Sequence, residues 1–152
     1  MGRSTFVKES VIHAPPERVF AFHELPDAFQ RLTPAWERSR VIKVADISQI
    51  GSEAIIETRI MGLIRRRWVA RHTAYDPPRM FEDVQTEGPF RYWRHRHIII
   101  PHKDGALLRD EIEYAPPLGL LGRLAAPLMI EPRLRKLFDY RHEVTRAWCE
   151  GE

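Results

Sequence analysis

Eight side chains spread over the middle of the chain have the types and spacing to do chemistry together: Trp68, His72, Asp83, Trp93, His95, His97, Asp110 and Tyr114. The densest part is Trp93-Arg94-His95-Arg96-His97-Ile98-Ile99, where the tryptophan and both imidazoles fall on odd positions and the arginines on even ones. A strand sends successive side chains to opposite faces, so the odd set faces inward and the arginines face water. An imidazole oriented by a carboxylate, with a tyrosine hydroxyl nearby, can take and return a proton, as aldol cyclisation or dehydration requires. The same groups can orient the polar end of a bound molecule, or satisfy one another as a buried network, His72 with Asp83 and His95 with Tyr114. His-X-His also aims two imidazoles in one direction, as metal sites need. Asp83 and Asp110 are expected only diagonal to His95 and His97, which leaves the third ligand wanting, so neither metal nor cofactor is expected. Phosphate-cradling glycines, a cysteine cluster and a Gly-X-Ser-X-Gly turn are all missing from the sequence.

The elements that must position these residues follow from periodicity. Residues 3–13 alternate and stop at Ala14-Pro15-Pro16, which predicts a first strand. Pro16 to His23 reads as a short helix, and a second follows Pro26 and ends at Thr33-Pro34. Six strand candidates come next: Arg38 to Asp46, Glu53 to Met61, Arg66 to Tyr75, Phe81 to Thr86, Phe90 to Ile100 and Leu107 to Ala115. From Leu118 the spacing is helical again, with Pro127 and Pro132 expected to kink or divide the segment. The expected fold class is α+β: a seven-stranded antiparallel sheet, bent around one long C-terminal helix, with two short helices after the first strand.

Turn chemistry adds registers. A two-residue turn at Asp104-Gly105 sets His95 opposite Tyr114, His97 opposite Ile112 and Ile99 opposite Asp110. A symmetric turn at Pro77-Pro78 sets His72 opposite Asp83 and Ala70 opposite Gln85, and one centred on Gly88 sets Asp83 opposite Trp93. In all three the inward residues meet inward residues, Gln85 among them.

Composition narrows the class of function. A chain of 152 residues, 43% hydrophobic and 30% charged, reads as one globular domain over residues 1–152. The net charge of +3 is spread among acids, with Glu82, Glu111 and Glu113 on the faces that carry Arg71, Arg94 and Arg96. Cross-strand ion pairs explain that pattern better than nucleic-acid binding does. The lone Cys149 fits a reducing compartment, and no run is long enough for a membrane span, so a cytoplasmic protein without membrane insertion is expected. Arg65-Arg66-Arg67 reads as a solvated turn. The apolar segment 118–130 admits three readings: a mobile gate over a cavity mouth, core packing, or a homodimer contact.

Several blocks together resemble the SRPBCC superfamily of START-like and polyketide-cyclase-like helix-grip domains, in particular its small bacterial single-domain ligand-binding or cyclase/dehydrase-like members. They are Ala14-Pro15-Pro16-Glu17-Arg18-Val19-Phe20, Leu32-Thr33-Pro34, Trp68, Phe81-Glu82-Asp83 through Gly88-Pro89-Phe90 with Trp93, His95 and His97, then Asp110, Tyr114 and Pro117, and Phe138-Asp139-Tyr140-Arg141. The resemblance implies a mainly apolar cavity between sheet and C-terminal helix that holds a lipid, sterol or polyketide-like molecule. Functions in the superfamily run from carriage to catalysis. The expectation is therefore a binder of a small hydrophobic molecule, with a cyclase/dehydratase-type enzyme as the alternative.

Overall fold

A computed structural model of the chain describes residues 2–60 and 64–151. Strand β1 (Ser4–Ile12) leads through Pro15 into helix α1 (Pro16–Glu24), where proline at the first position is preorganised for the helix. Helix α2 (Ala28–Arg31) and a 3-10 turn (Ala35–Glu37) follow. Strands β2 (Arg40–Lys43), β3 (Glu53–Ile60), β4 (Ile64–Asp76), β5 (Met80–Glu87), β6 (Tyr92–His102) and β7 (Gly105–Ala115) come next, then helices α3 (Gly119–Met129) and α4 (Glu131–Glu150). The sheet runs β1-β7-β6-β5-β4-β3-β2, every neighbouring pair antiparallel, so β5 is the middle strand, β6 lies between β5 and β7, and the first strand pairs with the last. This is the α+β helix-grip arrangement that the periodicity predicts.

Several boundaries move for local reasons. β2 is shorter than expected because the 3-10 turn consumes the preceding residues and ends on Arg38 in the left-handed region. Phe90 lies outside β6: the Gln85 side chain donates to the Phe90 carbonyl at 2.7 Å and accepts from its amide at 3.3 Å, replacing strand pairing there. Arg65, Arg66 and Arg67 are exposed residues at the start of β4, alternating between its faces, and are not a turn. The predicted end of β3 at Met61 lies outside the described residues. The long helical tail divides at Ile130, with Pro132 in the first turn of α4 and Pro127 inside α3.

The registers keep the expected faces but shift in two hairpins. Across β4 and β5, His72 faces Asp83 and Ala70 faces Gln85, as the symmetric turn predicts. Across β5 and β6, Asp83 faces His95, not Trp93, because the wide Gln85–Phe90 loop lets the ladder end at Val84 and Arg94. Across β6 and β7 the turn is Lys103-Asp104, one residue earlier than expected, so His95 faces Ile112, His97 faces Asp110 and Ile99 faces Leu108. Gly105 pairs with His102 because its backbone, at φ +138°, passes so close to the end of β1 that a Cβ would run into the Ile12 carbonyl oxygen and Ala14. Each shift moves a partner by two residues, which preserves the face.

The outer face of the sheet carries the expected ion pairs: Arg96 to Glu82 at 2.9 Å and Arg94 to Glu113 at 3.2 Å, with Arg71 pairing instead with Glu53 at 3.4 Å. The inner face packs on α4 through Leu134, Phe138, His142, Thr145 and Cys149, a stripe at helical spacing. Arg18 of α1 donates to the carbonyls of Trp148, Cys149 and Gly151, capping the end of α4 with a cation and tying the two helices together. Inside lie two apolar clusters, one around Phe20, Phe22, Phe81, Ile99 and Leu108, the other around Phe6, Trp93, Ile112, Tyr114 and Phe138. Helix α3 buries only Ala126, within the cluster around Phe138, while Leu120, Leu121, Leu124, Leu128 and Met129, with Leu118 just before it, are exposed, so most of its apolar surface is not packed in the core. No described helix is long and apolar enough to cross a membrane.

Candidate functional site

A polar layer separates the two apolar clusters, and the carboxylate of Asp110 is its centre. β7 alternates perfectly between half-buried and buried positions, which turns Asp110 inward between Leu108 and Ile112. Its Oδ1 lies 2.6 Å from His95 Nε2 and 3.1 Å from His97 Nδ1, and its Oδ2 lies 2.7 Å from His142 Nε2. The other nitrogen of His142 is 2.7 Å from the Ser10 hydroxyl of β1. His97 Nε2 faces Asp83 Oδ2 at 3.3 Å. One network thus joins β1, β5, β6, β7 and α4.

Donor roles follow from the geometry. An ionised carboxylate only accepts, so His95 Nε2 and His142 Nε2 donate to Asp110, His97 Nδ1 stands at ion-pair distance from it, and His142 Nδ1 bonds the Ser10 hydroxyl. Burial works to raise the Asp110 carboxyl, but hydrogen bonds from His142, His95 and His97 outweigh it and hold it well below the usual carboxylate range. Asp83 is likewise buried and likewise held down, chiefly by its bond to His97. Burial opposes charge on His97, yet the bonds to Asp110 and Asp83 prevail and raise its affinity for a proton. His95 goes the other way: burial and the neighbouring His97, 3.7 Å away between ring centroids, lower it despite Asp110. His97 therefore holds a proton more readily than a free imidazole and its neighbour His95 less readily, with His95 turning Nε2 to Asp110.

The surroundings are aromatic. His97 stacks on Phe81 at 3.9 Å, and His95 meets the edge of Phe138 at 5.2 Å. Further along β6, Trp93 packs against Trp68 at 5.1 Å and Phe90 at 4.8 Å, with Tyr114 beyond. All eight residues singled out from the sequence lie on the inner face. His95, His97, Asp83 and Asp110 share one network; Trp68, Trp93 and Tyr114 form an aromatic group beside it. His72 stands opposite Asp83 without bonding to it, and its Nδ1 has no hydrogen-bond partner, the Glu82 backbone nearby falling outside bonding geometry. Tyr114 Oη is also without one, so the expected His95–Tyr114 pair is replaced by His95–Asp110; the Ser4 hydroxyl, across the ladder, approaches it without completing a bond.

Three participants escaped sequence reasoning. His142 and Ser10 complete the network, and His142 stands four residues after Phe138 on the same helical stripe, which was the available signal. His23, at the end of α1, sits 5.9 Å from His97 and 5.4 Å from Phe81, its Nδ1 at 2.9 Å from the Val19 carbonyl. Burial, assisted by His97, pushes it down to about 4. His23 also lines a pocket of about 460 Å³ bounded by Leu25, Pro26, Val44, Asp46 and Ile47, so the polar layer reaches the surface through its ring. A second pocket, about 350 Å³, lies between β1 and the start of α4.

Asp83, His95 and His97 offer ligand atoms all within 4.8 Å of one another, the set best suited to a metal ion. Asp83, opposite His95 on the adjacent strand, is thus nearer than the sequence suggested. Both nitrogens of His97 and one of His95 already face carboxylates, so a metal would have to displace these bonds.

Comparison with known proteins fits this architecture. The family model described as "Polyketide cyclase / dehydrase and lipid transport" matches residues 12–138, more than half of the chain. The chain belongs to that family. This polyketide cyclase/dehydrase and lipid-transport domain is similar in fold to protein CV1439 from Chromobacterium violaceum, at 16% identity and a TM-score of 0.72, over 97% of this chain and 99% of that one. It is similar also to the di-domain ARO/CYC StfQ from the steffimycin biosynthetic pathway, at 12% identity and a TM-score of 0.76, over 97% of this chain and 51% of StfQ. Ara h 8.0201 aligns at 12% identity with a TM-score of 0.70, over 99% and 100%. No functionally curated protein matches the family member described here.

Two outcomes follow. His23 is depressed relative to its unfolded value near 6.5, so the unfolded state binds the extra proton between pH 6.5 and about 4, and stability falls on acidification through that window. Urea unfolding at pH 7 and pH 4.5 should differ by roughly 2–3 kcal/mol from this group, a loss that His23→Phe largely removes. His97, raised by its carboxylates, acts with the opposite sign, its contribution fading as pH rises through its folded value; an unchanged acid loss in His23→Phe would reassign the effect. Second, chelation should leave the Tm unchanged, because the hydrogen-bonded network is complete without an ion. Stoichiometric zinc or iron in protein purified without added metal would instead make Asp83, His95 and His97 its ligands.

Proposed function

We propose that the domain binds a small hydrophobic, polyketide-like or lipid-like molecule on the inner face of the sheet. The apolar body lies against Trp68, Phe90 and Trp93, the polar end meets His95, His97, Asp83 and Asp110, and the His23 pocket is the mouth. The observation that carries this reading is the pair of orphaned atoms, His72 Nδ1 and Tyr114 Oη, on the same inner face as an otherwise satisfied network. A buried polar atom left without a partner costs about 1–3 kcal/mol, a cost that a ligand's own polar groups relieve. The likeness to an ARO/CYC protein and the family's description support the ligand class.

The alternative, acid-base catalysis of the cyclase/dehydratase type, is favoured by a separate observation: two adjacent imidazoles whose environments push their proton affinities apart. In that reading His95 Nδ1, backed by Asp110, takes a proton from an activated carbon while the His97 imidazolium steadies the enolate oxygen.

Tryptophan fluorescence should be quenched saturably by an apolar probe such as 2-acetylnaphthalene, and Trp68→Phe with Trp93→Phe should remove most of that signal, Trp36 and Trp148 serving as controls. A signal that survives both substitutions would put the ligand elsewhere. His95→Gln can still donate to Asp110 but cannot shuttle a proton. Carriage predicts probe affinity within about tenfold of wild type, since one orienting hydrogen bond is worth on the order of 1 kcal/mol. Catalysis predicts turnover of a cyclisable polyketide-like substrate that falls about a hundredfold or more while binding changes little.

A further inference from the structure

Arg141 stands one residue before His142 on α4, half-buried at the margin of the inner stripe, and takes no part in the network just described. Its Nε donates to the Leu32 carbonyl at 3.1 Å, which fixes the plane of the guanidinium at the end of α2. The same guanidinium lies 5.2 Å from the centre of the Phe138 ring and 5.9 Å from that of Phe29. Phe138 in turn meets His95, so a single aromatic ring separates Arg141 from that imidazole. Among the described residues no carboxylate is within ion-pair distance of it. Glu37, the acid whose field reaches it from the 3-10 turn, is committed to Arg133 at 2.9 Å, and Asp110 and Asp83 act on it only at longer range.

A guanidinium carries five N–H donors in a planar fork, and one of them is used here. Although Arg141 is only half-buried, that burial weakens its hold on its proton, and among the described residues no carboxylate offsets the charge at close range. Packing between two phenyl rings with a pinned Nε preorganises the remaining edge for a planar oxyanion, which it can bind by two parallel hydrogen bonds. A purely structural role, capping α2 through Leu32, uses the Nε alone and leaves the fork idle.

We propose that Arg141 is the anion anchor of the interior site, so that the ligand is an apolar molecule carrying one delocalised oxyanion, a carboxylate or an enolate. This deepens the proposed ligand-binding reading and rests on it. The oxyanion takes the Nη edge of Arg141, and the apolar body continues past Phe138 toward the Trp68–Trp93 group.

The test compares three probes on wild type, Arg141→Met and Arg141→Lys: 2-naphthoate, neutral 2-acetylnaphthalene, and 2-phenyl-1,3-indandione, an enolate at neutral pH. Wild type should bind an anionic probe at least about tenfold more tightly than the neutral one, in keeping with a charge-assisted bidentate pair. Whichever anion gains more identifies carboxylate or enolate as the group recognised. Arg141→Met, which keeps an unbranched stem over Phe138, should erase the difference while leaving the neutral probe's affinity unchanged. Arg141→Lys should restore only part of it, because an ammonium lacks the fork. Thermal melts of both variants separate loss of the Leu32 cap from loss of the anion contact. Equal affinities for anionic and neutral probes in wild type, or an equal fall for both in Arg141→Met, would overturn the anchor while leaving the binding site standing. Failure of all three probes to bind would overturn both.

Discussion

One carboxylate accepting two imidazole N–H groups, with a third imidazole at ion-pair distance, holds this structure's interior in register. Asp110 reaches His95 and His97 on the strand beside it and His142 on the helix above it, so the spacing between sheet and α4 is set by hydrogen bonds as well as by packing. A carboxylate taken out of water without partners would protonate or unfold its surroundings. Here each oxygen is met by at least one donor, and the low proton affinity of Asp110 reports that compensation. The extension through His142 to Ser10 adds the edge strand β1, which Lys8–Asp139 and Phe6–Phe138 also tie to α4. Loss of the Asp110 carboxylate would leave His95 and His142 without their acceptor and His97 with Asp83 alone, which is how a single substitution would reach both layers of the fold.

That polar layer was half legible in the sequence. The parity of β6 gave away the inward pairing of His95 with His97 and of both with Trp93, because alternation is a local property that no loop alters. Their partners were harder to read. Asp83 and Asp110 were identifiable as inward residues, but which imidazole each would meet depended on turns whose geometry is decided by tertiary contacts: Gly105 is drawn into the ladder by the end of β1, and Gln85 bridges to Phe90 in place of a backbone pair. His142 was within reach, since it continues the stripe from Leu134 and Phe138. His23 had no signal beyond its place in an amphipathic helix, because its role comes from where α1 is docked.

The way the layer is enclosed bears on access. His95 and Asp110 each expose only 5% of their side chains, and the aromatic rings of the two clusters cover them from both sides. The weakest part of this enclosure is the stretch around His23, where residues 44–48 run without regular secondary structure and are tied by Asp46 to Ser48 and Ser52. Few backbone hydrogen bonds have to break for that segment to move, whereas displacement of α4 would break the Arg18 cap and the His142 bonds together. Entry beside α1 therefore asks less of the fold than lifting the long helix, and the exposed leucines of α3 are not needed to explain how the interior opens.

The charge distribution inside the layer separates stability from function. Replacing a buried ionic network with well-packed apolar residues of similar volume is often neutral or stabilising, so a network of this size is poorly explained by stability alone. A minimal structural network would also have no reason to set two imidazoles 3.7 Å apart and drive their proton affinities in opposite directions. His97 lies between two carboxylates that raise its proton affinity, while burial and then the neighbouring His97 lower that of His95. The consequence is a lone pair on His95 Nδ1 inside an apolar shell, held in one tautomer by Asp110. An acceptor so prepared suits a ligand that presents a hydroxyl or an acidic carbon there, and it is the feature that carriage and catalysis would have in common.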